Sequence, residues 1–385
     1  MTIVYSAIDQ VVPGTTGGSV HVVAVAEGLA ARGHEVHALI TPGATRPRPS
    51  AVRWVPMRPP FGSSHLRLTR SAAIADLVAR VRPDVIMERY HNFGGEAILA
   101  AQSVGAIAVL EVNAPVIDHR GSRKALLDRA LIVRPMQRWR RRVCSVADVI
   151  VTPNPAILPS GLPADRVATL EWGADTERFR PDVAAAPPFV RPPVSTLAVF
   201  AGAFRSWHGA VHLVRAIKIL RERGRMDLGA VLIGDGPELP HVRDEATGVP
   251  AVLFTGALPH DVMPAALSAA DVGVAPFDVG AHAPLSLGFY WSPLKLFEYM
   301  AAGLPVVAPA IDRIPSLVAD GREGVLYDPG DRQALAAAIE SLTNRARRAA
   351  LGTAARERAV REYSWAAHCR ALESAILGAR RRRAS

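Results

Sequence analysis

The chain has 385 residues, a formal net charge of +10, 49% apolar and 21% charged residues, so two domains of similar size are expected and a disordered chain is excluded. No apolar run is long enough to cross a bilayer, and the start, Met1-Thr2-Ile3-Val4-Tyr5, lacks the basic region of a signal peptide. Two cysteines, Cys144 and Cys369, make no disulfide framework and fit a cytoplasmic chain, no histidine has zinc-type spacing, and the positive balance asks for an anionic partner.

Residues 2–8 are an apolar run, followed by Gly14-Thr15-Thr16-Gly17-Gly18-Ser19 and a helical pattern through Ala31. Gly33 closes it, and Glu35-Val36-His37-Ala38-Leu39-Ile40 is the next strand. This is a βαβ unit whose glycine-rich turn, with Gly17 and Gly18, sits where a helix N-terminus can receive phosphate or a close substrate. It is not Gly-x-Gly-x-x-Gly, so the dinucleotide signature is absent, and a plain flexible turn fits the same residues.

Alternation continues with a helix over 66–81, a strand at 84–87, a helix over 95–103 and strands at 106–110 and 149–151. Strands separated by helices give a parallel, doubly wound sheet whose ligands lie at the carboxyl ends of the strands. Glu88-Arg89-Tyr90-His91-Asn92 and Glu111-Val112-Asn113 fall just there, as sugar or acceptor contacts or as structural hydrogen-bonding groups.

Between Arg120 and Arg142 lie nine basic residues against one acid, Asp128, interleaved with Leu126, Leu127, Leu131, Met136 and Trp139. Pro135 should break this segment in two. The composition fits an interfacial segment on anionic lipid ahead of the plainer reading, a solvated surface helix pair. Arg380-Arg381-Arg382-Arg383 adds to the same attraction or frays. Nucleic acid is not the expected partner, because the basic residues cluster with Leu and Trp and form no reading module.

Prolines 181, 187, 188, 192 and 193 with alanines between them read as a linker, 181–194. It divides a first domain, 1–180, from a second, 195–363. The second alternates strand 197–201, helix 210–223, strand 229–233, helix 237–246, strand 252–254, helix 261–270 and strand 272–275. Strands at 305–308 and 324–327 follow, with helices from 332 to 377. Its first strand ends in Gly202-Ala203-Phe204-Arg205-Ser206-Trp207-His208-Gly209. Arg205, by its planar fork, and His208 can hold a diphosphate there, although a surface loop would read alike. Gly234-Asp235-Gly236-Pro237 reads as a turn.

The stretch Ser292-Pro293-Leu294-Lys295-Leu296-Phe297-Glu298-Tyr299-Met300-Ala301 reads as a short helix. Ser292 is placed as N-cap, Pro293 as first helical residue, Gly303 as the left-handed stop, and 306–308 as the next strand. Lys295 in the first turn opposes the helix dipole and precedes Glu298 by three, the weaker ordering of an ion pair. Such violations mark function: the N–H groups after Ser292, with Lys295, form a phosphate receptor, and Glu298 can accept hydrogen bonds from a diol such as ribose. A solvated Lys–Glu pair on a surface helix is the plainer reading.

Taken together these blocks resemble the large retaining glycosyltransferase family called glycosyl transferases group 1. Gly17-Gly18-x-x-His21, Gly173-Ala174-Asp175-x-x-x-Phe179-x-Pro181, Gly202 to Gly209, Gly234 to Pro237, Phe254-Thr255-Gly256, Ala270-Asp271-Val272 to Pro276 and Ser292 to Val307 occur in family order. The resemblance implies the GT-B architecture, an α/β fold of two Rossmann-like, doubly wound parallel-sheet domains facing across a cleft. It also implies a final helix, 364–385, that returns to the first domain. The donor would be a UDP- or GDP-sugar, with no separate cofactor and no metal, and the acceptor a glycan or glycolipid. By the same resemblance Glu298 is the second glutamate of a Glu-x₇-Glu motif and binds the donor ribose, while the first falls on Tyr290, which has no carboxylate. Arg205 and Lys295 are the cationic clamp, and His208 stands where a lysine is commoner. Asn113 lies near a histidine position beside the reacting carbon. Ser292, Pro293, Leu294 and Leu296 line the donor diphosphate with Lys295. The missing first glutamate keeps a non-catalytic nucleotide-sugar-binding partner as the second reading, beside a sugar-nucleotide epimerase on the same fold.

Overall fold

The computed structural model describes residues 1–14, 16–116, 134–281 and 287–385. By the contacts they make, the residues form two compact units. The first holds Met1–Trp172, Tyr290–Ser292 and Trp365–Ser385; the second holds Gly173–Phe289 and Pro293–Ser364. The proline-rich stretch 181–194 therefore lies inside the second unit, which begins upstream of it at Gly173.

In the first unit the elements run β1 (Thr2–Val12), α1 (Gly17–Ala31), β2 (Glu35–Pro42), β3 (Arg53–Pro56), α2 (Ser71–Val81), β4 (Val85–Arg89), α3 (Glu96–Val104), β5 (Ile107–Glu111), α4 (Arg134–Val146), β6 (Val149–Thr152) and β7 (Val167–Thr169). Its sheet has the order β3-β2-β1-β4-β5-β6-β7, and every pairing is parallel. Strand order reverses between β1 and β4, which puts the Gly17-Gly18 turn at a switch point. The expected helix over 66–81 is two pieces, a 3₁₀ segment Ser64–Arg70 and then α2.

The second unit runs β8 (Thr196–Ala201), α5 (Ala210–Glu222), β9 (Leu228–Ile233), α6 (Leu239–Glu245), β10 (Val252–Gly256), α7 (Met263–Ser268), β11 (Val272–Val274), α8 (Leu294–Ala301), β12 (Val306–Pro309), α9 (Ile314–Leu317), β13 (Gly324–Tyr327), α10 (Arg332–Ser341) and α11 (Arg345–Glu362). Its sheet, β10-β9-β8-β11-β12-β13, is also parallel and reverses between β8 and β11. Strands buried on both faces read as continuous apolar runs, such as 196–201, wholly buried. The last helix, α12 (Trp365–Ala384), belongs to the first unit. Cys369 packs against Gly28 of α1 there, and Glu373 pairs with His34 at 2.9 Å.

Two expectations about basic segments change. Of the stretch 120–142, residues 120–133 lie outside the described residues, and the remainder belongs to α4, with Pro135 in its first turn rather than at a break. Trp139 is half-buried and donates its ring N–H to the Gly94 carbonyl at 2.7 Å, and Arg140 is buried. The arginine tail is also tied down: Arg383 reaches Asp148 at 2.7 Å and the Gly105 and Ala106 carbonyls at 3.0 Å.

Candidate functional site

In the second unit the site is built where β8, β11 and α8 converge. After β8 the chain turns at Gly202, whose φ of +147° only glycine adopts easily. A Cβ there would lie 2.9 Å from the Lys295 ammonium, so the absent side chain leaves room for that group. Gly234, after β9, is held at positive φ, and a Cβ on it would overlap the Gly202 carbonyl. Glycines at the ends of adjacent strands thus let two loop backbones close up beside one cation.

Lys295 itself is half-buried through its stem, but its Nζ is sealed from solvent and has no hydrogen-bond partner among the described residues. It sits 4.3 Å from the Phe200 ring centroid and 5.4 Å from that of Phe277. Burial pushes its pKa down to about 7, against a small opposing pull from Glu298. Aromatic faces compensate a buried cation only in part.

The expected Lys295–Glu298 pair does not form. Glu298 is buried, and its carboxylate takes a hydrogen bond from His260 Nε2 at 2.9 Å. His260 lies on the turn after β10 with its ring against Phe179, 5.5 Å between centroids. Nothing about His260 stood out in the sequence, since the contact spans thirty-eight residues. Arg205 is exposed, with its guanidinium 5.8 Å from the Trp207 ring centroid. His208 turns Nδ1 to the Ala203 carbonyl at 2.6 Å, which closes the loop on itself. A cavity of about 260 Å³ adjoins Phe277 and is lined also by His212, Asp278, Tyr327 and Arg332.

Ser292 is not the N-cap of α8. That position is Pro293, which has no side-chain cap to offer. The Ser292 hydroxyl instead donates to Glu171 at 2.5 Å and accepts the Trp172 N–H at 2.9 Å, all within the first unit. Tyr290, in the place of the missing glutamate, likewise belongs to the first unit and packs on its hydrophobic core. Pro293, Leu294 and Leu296 stay in the second unit with Lys295. The α8 helix ends as its sequence demands: Gly303 takes φ +74° and the Leu304 N–H reaches back to Tyr299.

In the first unit the carboxyl ends of β1, β4 and β5 carry a buried polar network. Glu111 lies 2.6 Å from His21 Nε2, 2.7 Å from the Tyr5 hydroxyl and 3.0 Å from Arg89. Burial raises the Glu111 carboxyl, but these donors outweigh it and hold it well below the usual carboxylate range. Asn113 donates to the same carboxylate and accepts the Trp172 ring N–H at 3.0 Å, so both ends of its amide are engaged. Trp172 stacks on His21 at 4.5 Å and lies 3.6 Å from where a Cβ on Gly17 would be. A Cβ on Gly18 would displace the amide end of the Gln10 side chain. Glu88, read beforehand among the acceptor contacts, is fully buried, takes the N–H groups of Gly95, Ala97 and Ile98 at 2.5–3.0 Å, and faces Arg67 at 3.2 Å. It caps α3 and is closed to a substrate. Among the described residues no cluster of three or more His, Cys, Asp or Glu could hold a metal ion.

Residues 195–345 match the profile of the family Glycosyl transferases group 1, and residues 15–178 that of Glycosyltransferase Family 4. The chain is 29% identical over 318 residues to the sulfoquinovosyl transferase SQD2 of Arabidopsis thaliana, covering 78% of this chain and 58% of that protein. It therefore spans a little over half the length of that relative. It is 28% identical to a GDP-mannose-dependent alpha-(1-6)-phosphatidylinositol monomannoside mannosyltransferase of Mycolicibacterium smegmatis, covering 77% of this chain and 81% of that one. Among solved structures, sucrose-phosphate synthase from Thermosynechococcus elongatus superposes with a TM-score of 0.73 at 20% identity, covering all of both chains. The fold is GT-B, and the two family matches with the relatives' names support a glycosyltransferase of that type.

Proposed function

We propose that the chain is a retaining, metal-independent glycosyltransferase that moves a sugar from a UDP- or GDP-sugar onto a glycan or lipid-linked acceptor. The observation that carries this reading is the sealed ammonium of Lys295 beside Gly202, which has no hydrogen-bond partner among the described residues. A pyrophosphate laid along the Gly202–Gly209 turn and the start of α8 would meet Lys295, Arg205, His208 and the free N–H groups that follow Pro293 and Leu294. Glu298, oriented by His260, would take the ribose hydroxyls, and Leu296 would pack behind the diphosphate strand of contacts.

In the reaction the bond from the sugar's anomeric carbon to the distal phosphate oxygen breaks as the sugar becomes oxocarbenium-like. The acceptor oxygen bonds to the same face of that carbon, and its proton passes to the departing phosphate. The negative charge that gathers on that phosphate is what Lys295 and Arg205 would stabilise, in the role a metal plays elsewhere. No protein nucleophile is required. The first unit would present the acceptor, with the Gly17-Gly18 turn and Asn113 on that side and Asn113 fixed by Glu111 and Trp172. Relatives named for a sulfoquinovosyl transfer and for mannosylation of a phosphatidylinositol mannoside support a sugar-nucleotide donor and favour a lipid-linked acceptor.

Tyr290 favours a second reading. With the motif's first carboxylate replaced by a partly buried ring packed against the first unit's core, a chain that binds nucleotide sugar without turning it over is the alternative. Incubation with labelled UDP- and GDP-sugars and a lipid extract separates the two. Transfer of label to lipid that is lost in Lys295→Met supports the enzyme, whereas nucleotide binding without transfer or donor hydrolysis supports the partner.

A further inference from the structure

The cavity of about 260 Å³ beside Phe277 has no part in the transferase reading. It lies where the first turns of α5 and α10 meet the ends of β11 and β13, and the two helices share one hydrophobic core. Its walls are local and firmly set. Gly209, just ahead of α5, sits so close to Pro276 that a Cβ on it would overlap the Pro276 carbonyl, and this brings His212 to the loop after β11. There Asp278 takes the Gly280 N–H on Oδ1 at 3.0 Å and faces His212 Nε2 with Oδ2 at 3.2 Å. Its own N–H goes to the Trp207 carbonyl at 3.0 Å. Asp331 is engaged in capping α10, through the N–H groups of Gln333 and Ala334.

Tyr327, at the end of β13, is 8% exposed and lines the cavity, and its hydroxyl makes no hydrogen bond among the described residues. A phenol so placed is available to whatever fills the space. Burial, with Asp278 nearby, raises its pKa, so it keeps its proton and can donate as well as accept. Phe277 supplies an apolar wall, and its ring centroid is 5.4 Å from Lys295 Nζ, which does not itself line the cavity. Size and chemistry narrow the occupant. Pockets for drug-sized molecules run to about 300–1,000 Å³, so this one takes a single ring and not a nucleotide. Asp278 is matched by His212, and Arg332 on the rim is exposed, so the walls gather no buried positive charge for an anion. An aromatic face beside a carboxylate, an imidazole and a phenol suits the C–H face and the hydroxyls of a sugar ring.

We infer that this cavity is a carbohydrate site that takes one neutral, hydroxylated sugar ring, from a free sugar or a glycan chain, with Tyr327 and Asp278 on its hydroxyls and Phe277 against its C–H face. It is separate from the proposed diphosphate clamp and stands without it.

Saturation-transfer NMR on the full chain with glucose, mannose and galactose in turn tests it. At least one of them should bind wild type, and saturating UDP or GDP should leave its signal in place. Tyr327→Phe keeps the ring, so the melting curve should not fall, and sugar binding should weaken by about fivefold. Asp278→Asn should weaken it by about tenfold. A disaccharide of the sugar that binds sorts the source: tighter binding marks a glycan chain and equal binding a free sugar, and either supports the site. No signal from any of the three would overturn the inference, and so would a signal unchanged in both variants or lost to nucleotide. Binding of inorganic phosphate that Arg332→Gln abolishes, with no sugar bound, would mark an anion site and overturn it too. Sugar binding in a chain that binds neither UDP nor GDP leaves this site standing and removes the diphosphate clamp, so the two readings fail separately.

Discussion

In the proposed reaction Lys295 receives the diphosphate, and its burial has measurable consequences. Without an anion it loses its proton near pH 7, because burial favours the neutral amine. A diphosphate must find the ammonium, so binding takes up a proton once the free protein has lost it. UDP or GDP affinity is therefore expected to be highest below pH 7 and to fall by about tenfold per pH unit above it. Isothermal titration at several pH values checks this, and Lys295→Met should abolish the dependence while weakening binding by about 10- to 100-fold. The same variant should melt at a higher temperature, because a buried ammonium lacking a partner destabilises the fold. His260 offers a second test at this scale. His260→Ala should raise the donor Kd by about fivefold, and His260→Gln, which can return a nitrogen to the Nε2 position, should restore it.

At the scale of elements, the helix α8 and the cap of α3 show how the chain spends its charges. Glu88, from the end of β4, replaces the side-chain cap that Gly95 cannot supply to α3, and it neutralises Arg67. Glu88→Ala is expected to cost about 3–5 kcal/mol in chemical denaturation, because Arg67 would stay buried with less of its charge matched. The alternation of strands and helices in both units was legible in the sequence, since parallel strands covered on both faces leave long apolar runs and helices leave glycine and proline stops. The short edge strands β3 and β7 were not, having partly exposed residues and no run to mark them. Lys295 and Glu298 were visible because they break local rules, and Arg205 because it stands in the loop after the first strand of the second unit. What the sequence could not reveal was pairing at long range: Glu298 takes His260 in place of Lys295, Ser292 takes Glu171 in place of the α8 N–H groups, and Asn113 is claimed by Glu111 and Trp172.

For the whole molecule, the division of labour follows the division of the chain. The second unit carries the buried ammonium of Lys295 at the switch point of its sheet, and the first carries the polar network of Glu111, His21, Tyr5 and Arg89. Among the described residues no helix is long and apolar enough to cross a membrane. The chain leaves the second unit at Phe289 and re-enters it at Pro293, just ahead of the helix that bears Lys295. The most direct measurement is a crystal structure of the protein with UDP or GDP bound. The account requires the pyrophosphate oxygens within hydrogen-bonding reach of Lys295 Nζ and the Gly202–Gly209 turn, with the ribose on Glu298. A nucleotide seated anywhere that leaves Lys295 without an anion would contradict it.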